Sequence, residues 1–220
     1  MKEKKIFYIS VFVAVLFHLS GLIGMYSDAR SWFISMTPFT LALMTGLIIW
    51  NEKTIRRVST LFFVLCFSIG YITEVIGTST GLLFGDYTYG YALGYKVLGV
   101  PLLIGVLWFV TVYSIGQTVL LGYRLLIGNG LRSISTNFLL VIFAAAMTTL
   151  FDFILEPAAI SLGYWKWYPD GTIPLFNYIC WFFISGFLLI PFYTVNEISK
   201  EINYFSIILI LIQTIFFLLI

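Results

Sequence analysis

Charged side chains are scarce in this chain. Only 10% of its 220 residues are Asp, Glu, Lys or Arg, against roughly a quarter in a soluble domain, and that shortage excludes a water-soluble globular protein. Histidine is scarcer still, with His18 alone. Membrane di-iron hydroxylases and desaturases hold their metals with several histidine clusters, so that chemistry is excluded as well. Cys66 and Cys180 fall in apolar stretches without CxxC or other metal-ligand spacing and read as small buried hydrophobes. There is no GxGxxG fingerprint for a flavin or nicotinamide, and no Asp-rich motif of the kind that holds Mg²⁺ for prenyl transfer. No metal and no cofactor is expected. The net charge of +2 is spread over connecting segments and offers nucleic acid no footprint.

What is abundant is apolar surface. The chain is 60% hydrophobic with a mean hydropathy of +1.01. A helix that crosses the hydrocarbon core takes about 20 mostly apolar residues. On that measure seven segments are predicted to span, at 5–26, 32–50, 57–78, 98–125, 136–162, 174–194 and 202–220. The expected fold is all-α: an integral, polytopic membrane protein of about seven helices in one bundle, a single domain over residues 1–220. The first segment follows Lys2, Lys4 and Lys5 as a signal peptide would. Its apolar run of about 21 residues is too long for that and ends without a small-x-small cleavage site, so it reads as a retained helix.

Basic residues fix the expected orientation. Lys2, Lys4, Lys5, Lys53, Arg56, Arg57, Arg124, Arg132 and Lys200 fall on one side, and only Arg30, Lys96 and Lys166 on the other. The positive-inside rule then puts the N-terminus in the cytoplasm and the C-terminus outside, in the cell's plasma membrane.

Against this apolar background, three acids stand out. Glu74 lies near the outer end of the third segment, and Asp152 and Glu156 lie late in the fifth, which runs the same way. An intramembrane acid is a functional-site hypothesis by default, because a charge in hydrocarbon costs several kcal/mol. The three are expected at one depth. Asp152 and Glu156, at i and i+4, share a helix face, and Pro157 should kink the helix beside them. His18 reads as a hydrogen-bonded bundle residue or a proton relay. The last segment carries Gln213 and otherwise looks like packing against lipid.

Between the third and fourth segments runs a loop in which glycines alternate with Tyr87, Tyr89, Tyr91 and Tyr95. It reads either as an interfacial belt or as a lid over the bundle, with Asp86 pointing back at the acids. The third and fourth segments are echoed by the fifth and sixth. Glu74, a Gly-Asp-Tyr loop, Pro101 and Trp108 correspond to Glu156, a Gly-Tyr-Trp loop, Pro174 and Trp181, with seven residues from proline to tryptophan each time. The echo points to an internal repeat of two helix pairs facing a shared site. Asn177, inside the sixth segment, should be hydrogen-bonded within the bundle.

Two carboxylates close together in a low dielectric do not both ionise cheaply, so the pair should share a proton. That leaves an acid beside a base. Carboxylates and the faces of Trp and Tyr also stabilise a developing carbocation. Such a site suits protonation of an isolated alkene in a lipid-soluble polyene, followed by addition of water.

The stretches EVIGTSTGLLFGDYTYGYALGYKVLGVPLLIGVLW, FDFILEPAAISLGYWKW and GTIPLFNYICWF resemble the membrane carotenoid biosynthesis family. That family includes carotenoid 1′,2′-hydratases (γ-carotene 1′-hydroxylases) and the bisanhydrobacterioruberin hydratases of halophilic archaea. The resemblance runs from about Glu74 to Phe183 and rests on the Glu-x-x-Gly block together with the Asp-x-x-x-Glu-Pro block. It implies a cofactor-independent hydratase acting on an acyclic carotenoid end group, with carotenoid, water and membrane lipid as partners. On that reading Glu74, Asp152 and Glu156 are catalytic, and Asp86, Tyr87, Trp108, Trp165, Trp167, Asn177 and Trp181 bind substrate. Three other uses of the same residues stay open: a lycopene-type cyclase, a carotenoid carrier or scaffold, and a proton pathway. Nothing in the sequence fixes the oligomeric state.

Overall fold

The computed structural model describes residues 2–53, 56–128, 130 and 132–220, without the side chains of Lys2 and Arg56. Among these residues the helices are α1 (Lys2–Met25), α2 (Arg30–Ser35), α3 (Thr37–Trp50), α4 (Arg56–Thr80), α5 (Leu103–Leu126), α6 (Ile134–Ser161), α7 (Leu175–Thr194) and α8 (Tyr204–Leu218). Four short strands accompany them: β1 (Tyr87–Tyr89), β2 (Lys96–Val97), β3 (Val100–Pro101) and β4 (Trp165–Trp167). Five helices (α1, α4, α5, α6 and α7) are long and apolar enough to cross a membrane, while α3 and α8 are shorter, at 14 and 15 residues. The chain is an all-α polytopic membrane protein.

The helices depart from the apolar segments where the backbone turns. Segment 32–50 is two helices, not one. α2 closes at Ser35, Met36 makes the turn, and Pro38 stands in the first turn of α3, where its missing N–H interrupts no intrahelical bond. Segment 98–125 begins late because Leu98 and Gly99, with φ of +50° and +82°, form the tip of the β2–β3 hairpin. α6 continues as helix through Pro157. The last segment does not simply face lipid: α8 buries Phe205, Ser206, Leu209 and Gln213, and packs on α1, α5 and α6. The basic turn Glu52–Arg57 falls partly on residues 54–55, outside the described residues. Within it, Lys53 pairs with Glu3 at 2.9 Å.

The bundle is centred on α5, whose apolar side chains run all round its axis and against which α3, α4, α6, α7 and α8 pack. Small residues on α5 let its neighbours approach. The Phe67 ring lies against Gly105 and the Phe192 ring against Gly116. α4 packs chiefly on α5, and α6 on α7. Those are the two helix pairs of the sequence echo, and each contributes one strand to a shared ladder. β1 pairs antiparallel with β4, with Tyr87 opposite Trp167, Thr88 opposite Lys166 and Tyr89 opposite Trp165. Just beyond the ladder, Gly90 donates its N–H to the Tyr164 carbonyl at 2.8 Å. A Cβ at Gly90 would sit 2.0 Å from the Gly163 carbonyl oxygen, so only glycine fits this crossing.

Candidate functional site

The ladder closes over the three acids. Strand residues alternate in direction, so Thr88 and Lys166 face outward while Tyr87, Tyr89, Trp165 and Trp167 are buried beneath the ladder. Glu74 on α4 accepts the hydroxyl of Tyr87 and that of Tyr89 (2.7 Å) on one carboxylate oxygen. Its other oxygen accepts the indole N–H of Trp108 at 3.1 Å. Burial first, and then the Glu74 carboxylate, push both tyrosine hydroxyls far above the ordinary phenol range, so they serve as donors.

Glu156 on α6 is held in the same manner by different groups. Trp165 and Trp167 donate their indole N–H groups to one oxygen at 2.9 and 3.0 Å, and Asn177 Nδ2 lies 3.2 Å from the other. Asn177, on α7, also donates to Asp152 Oδ2 at 2.9 Å and so bridges the two α6 acids. Asp152 is fully buried, and its Oδ1 has no hydrogen-bond partner among the described residues. Two carboxylates thus have three donors each and the third has one. Donors of this kind stabilise the charge of a carboxylate, and Asp152 has the fewest of them.

All three acids line one small cavity of about 30 Å³, walled by Phe84, Thr111, Leu155 and the rings of Trp108 and Trp181. That volume holds roughly one or two water molecules. Trp108 and Trp181 stack at 4.0 Å with their planes 12° apart, so the two tryptophans seven residues past the prolines meet between the helix pairs. Trp108 reaches this position across Gly70, one turn before Glu74. A Cβ on Gly70 would lie 2.2 Å from the indole. Gly70→Ala is therefore expected to displace Trp108 and to destabilise the protein by about 1–3 kcal/mol, read as a lower Tm in detergent. An unchanged Tm would show that Trp108 has room to move.

Of the sequence-designated residues, Glu74, Asp152, Glu156, Tyr87, Trp108, Trp165, Trp167, Asn177 and Trp181 all line this cavity. Asp86 does not. Its side chain is absent from the cavity wall, and its carbonyl accepts the Tyr168 N–H at 2.9 Å. Tyr87 takes the inward side of the strand, which leaves its neighbour facing away. Tyr89, missing from the designated set, is a direct partner of Glu74, and the period-two alternation from Tyr87 marks it. In the tyrosine loop Tyr87 and Tyr89 turn inward over the acids, while Tyr91 and Tyr95 are exposed. The run Gly77–Gly81 has the GxSxG spacing of a serine nucleophile elbow, but Ser79 sits at the end of α4 and donates its hydroxyl to the Val75 carbonyl at 2.6 Å. A nucleophile elbow needs a strand-to-helix turn and a nearby histidine, and the single histidine, on α1, donates its ring Nδ1–H to the Ala14 carbonyl (2.8 Å).

Fold and site together define a polytopic membrane protein with a buried, donor-rich trio of carboxylates under aromatic walls. The family described as "Carotenoid biosynthesis protein" matches residues 32–220, and the chain belongs to that family. It is 28% identical over 186 residues to the bisanhydrobacterioruberin hydratase of Haloarcula japonica, an alignment that covers 80% of this chain and 60% of that protein. The chain thus spans about 60% of the length of this relative. No solved structure matches it.

Proposed function

We propose that the protein is a cofactor-independent carotenoid hydratase. It adds water across the terminal C1′–C2′ double bond of an acyclic end group and yields a tertiary alcohol at C1′. The observation that carries this reading is Asp152 Oδ1, buried and unpartnered among the described residues, in a water-sized cavity between two carboxylates already satisfied by donors. The hydratase name of the relative supports the reaction class.

The steps balance without a further reactant. Protonated Asp152 gives its proton from Oδ1 to C2′, and the alkene's electron pair forms the new C–H bond. Asn177, which donates to Oδ2, keeps the protonated oxygen turned toward the cavity. The tertiary cation left at C1′ is stabilised by the Glu156 carboxylate and by the stacked faces of Trp108 and Trp181. A water held by Glu74 attacks C1′ and passes its proton to that carboxylate, and cavity water returns the proton to Asp152. General acid–base transfer of this kind contributes about 10²–10⁴-fold. The acids belong to the outward-facing half of the bundle, with the N-terminus cytoplasmic, on the distribution of Lys and Arg.

Expression in cells that make lycopene or γ-carotene tests the reading. The expected result is a pigment heavier by one water with an unchanged polyene absorbance. A product of unchanged mass and altered absorbance would mean cyclisation by an internal double bond. No new pigment from either substrate would reduce the protein to a carrier. The room for water beside Asp152 favours hydration over cyclisation.

A further inference from the structure

A second, much larger cavity of about 570 Å³ lies between α1, α2, α3 and α8. It shares Leu107, Leu155 and Trp165 with the acid cavity, so those three side chains form a partition between the two. Trp165 faces both ways. Its N–H holds Glu156, and its indole also walls the larger space. Its lining also includes Leu16, Trp32, Met36 and Phe39, all exposed apolar side chains of a membrane protein. No Asp, Glu, Lys or Arg is among the lining residues.

From this juxtaposition we infer that the cavity between α1, α2, α3 and α8 is the binding site for an acyclic polyene. The polyene enters sideways from the lipid and lies end-first, with its terminal double bond at the Leu107–Leu155–Trp165 partition. The inference rests on the hydration reading for the chemistry at its inner end; the class of ligand is carried by the cavity itself. The volume is within the ~300–1,000 Å³ of small-molecule sites, enough for one end of a long polyene whose remainder stays in lipid. A lining with exposed Leu, Trp, Met and Phe admits a bilayer-dissolved molecule without passage through water, and a hydrated ligand would meet no charge to hold it. Met25 and Met44 adapt to a ligand's shape. Phe17, Phe216 and Phe217 offer π faces along its length. The acid cavity, sized for water, takes no end group itself. The partition side chains must therefore yield for the alkene to reach Asp152, which keeps the acids away from polyene that is not fully inserted.

The test uses the full chain purified in detergent from lycopene-producing cells, with bound pigment per protein read by absorbance. Gly21→Phe and Thr40→Trp each place a ring in the cavity. A Cβ on Gly21 meets the Phe216 ring at 3.4 Å, so α1 accepts a side chain there. Leu139→Trp puts the same bulk on the exposed face of α6 as a control. Wild type, Leu139→Trp and Asp152→Asn should carry equal polyene, substrate and hydrated product counted together at their common absorbance, and the two filling variants at least ~tenfold less. Wild-type loading in both filling variants, or an unloaded wild type, overturns the inference. Should either filling variant fail to fold, Thr40→Cys gives a second reading: lycopene should slow its alkylation by N-ethylmaleimide at least ~tenfold, and no protection overturns the inference. Loading that is blocked as expected without any hydrated product would sink the hydration reading and leave the cavity's ligand standing.

Discussion

Asp152→Asn is expected to lower conversion of an acyclic carotenoid by about 10²–10⁴-fold, the range lost with a general acid, while membrane insertion, Tm and bound pigment stay at wild-type levels. The substitution keeps shape and volume. Its carbonyl oxygen can still accept from Asn177, in place of the Oδ2 that does so at 2.9 Å, and its amide group faces the cavity where Oδ1 stood. Only the ionisable proton is gone. Product analysis and thermal unfolding on the same preparation check both halves of the expectation. Full activity in the asparagine variant would remove Asp152 from the chemistry. A large fall in Tm would instead make the residue a packing element.

Glu74→Gln should fail differently. Its carbonyl oxygen can replace the one that accepts Tyr87 and Tyr89, but its NH₂ then points at the Trp108 indole N–H, donor against donor. A buried N–H left without an acceptor costs about 1–3 kcal/mol. Loss of the carboxylate that orients water and takes its proton costs a further ~10²-fold or more in rate. The variant should lose activity, melt earlier and open the loop 81–102 to protease, because Glu74 is what anchors β1 to α4. Lost activity with an unchanged Tm and an uncut loop would show that the anchor lies elsewhere. The contrast matters: one acid is expected to be removable without structural loss and the other is not.

Much of this site is legible in the sequence because its rarest residues are its working ones. In a chain this apolar, an acid inside a helix has no solvating reason to be there, and Glu74, Asp152 and Glu156 announce themselves by that alone. Their common cavity follows from parallel helices and equal depth. The proline-to-tryptophan spacing points to the stacked pair Trp108–Trp181. What is not legible is set by backbone geometry and tertiary packing. Hydropathy makes no distinction between the tip of the β2–β3 hairpin and the first turn of a helix, so α5 reads as starting too early. Asp86 looks like a fourth acid until the pleat of β1 assigns the inward side to Tyr87. The β1–β4 pairing joins residues far apart in the chain, and no local pattern states it. The large cavity is hidden most completely. Its walls come from α1, α2, α3, α5, α6 and α8 with Leu93, Tyr164 and Trp165 from the loops and β4, and most of them are ordinary apolar side chains for a membrane protein.

The two halves of the ladder look alike until the chemistry of their donors is compared. Glu74 is held by phenols and an indole, and Glu156 by indoles and an amide. A phenolic oxygen both donates and accepts, so it can hand a proton onward and take another. An indole nitrogen donates only. The donors on the Glu74 side therefore include groups able to relay a proton, while those on the Glu156 side only donate from nitrogen. A nearly two-fold frame thereby acquires a direction, set by which donors hold the acid in each half.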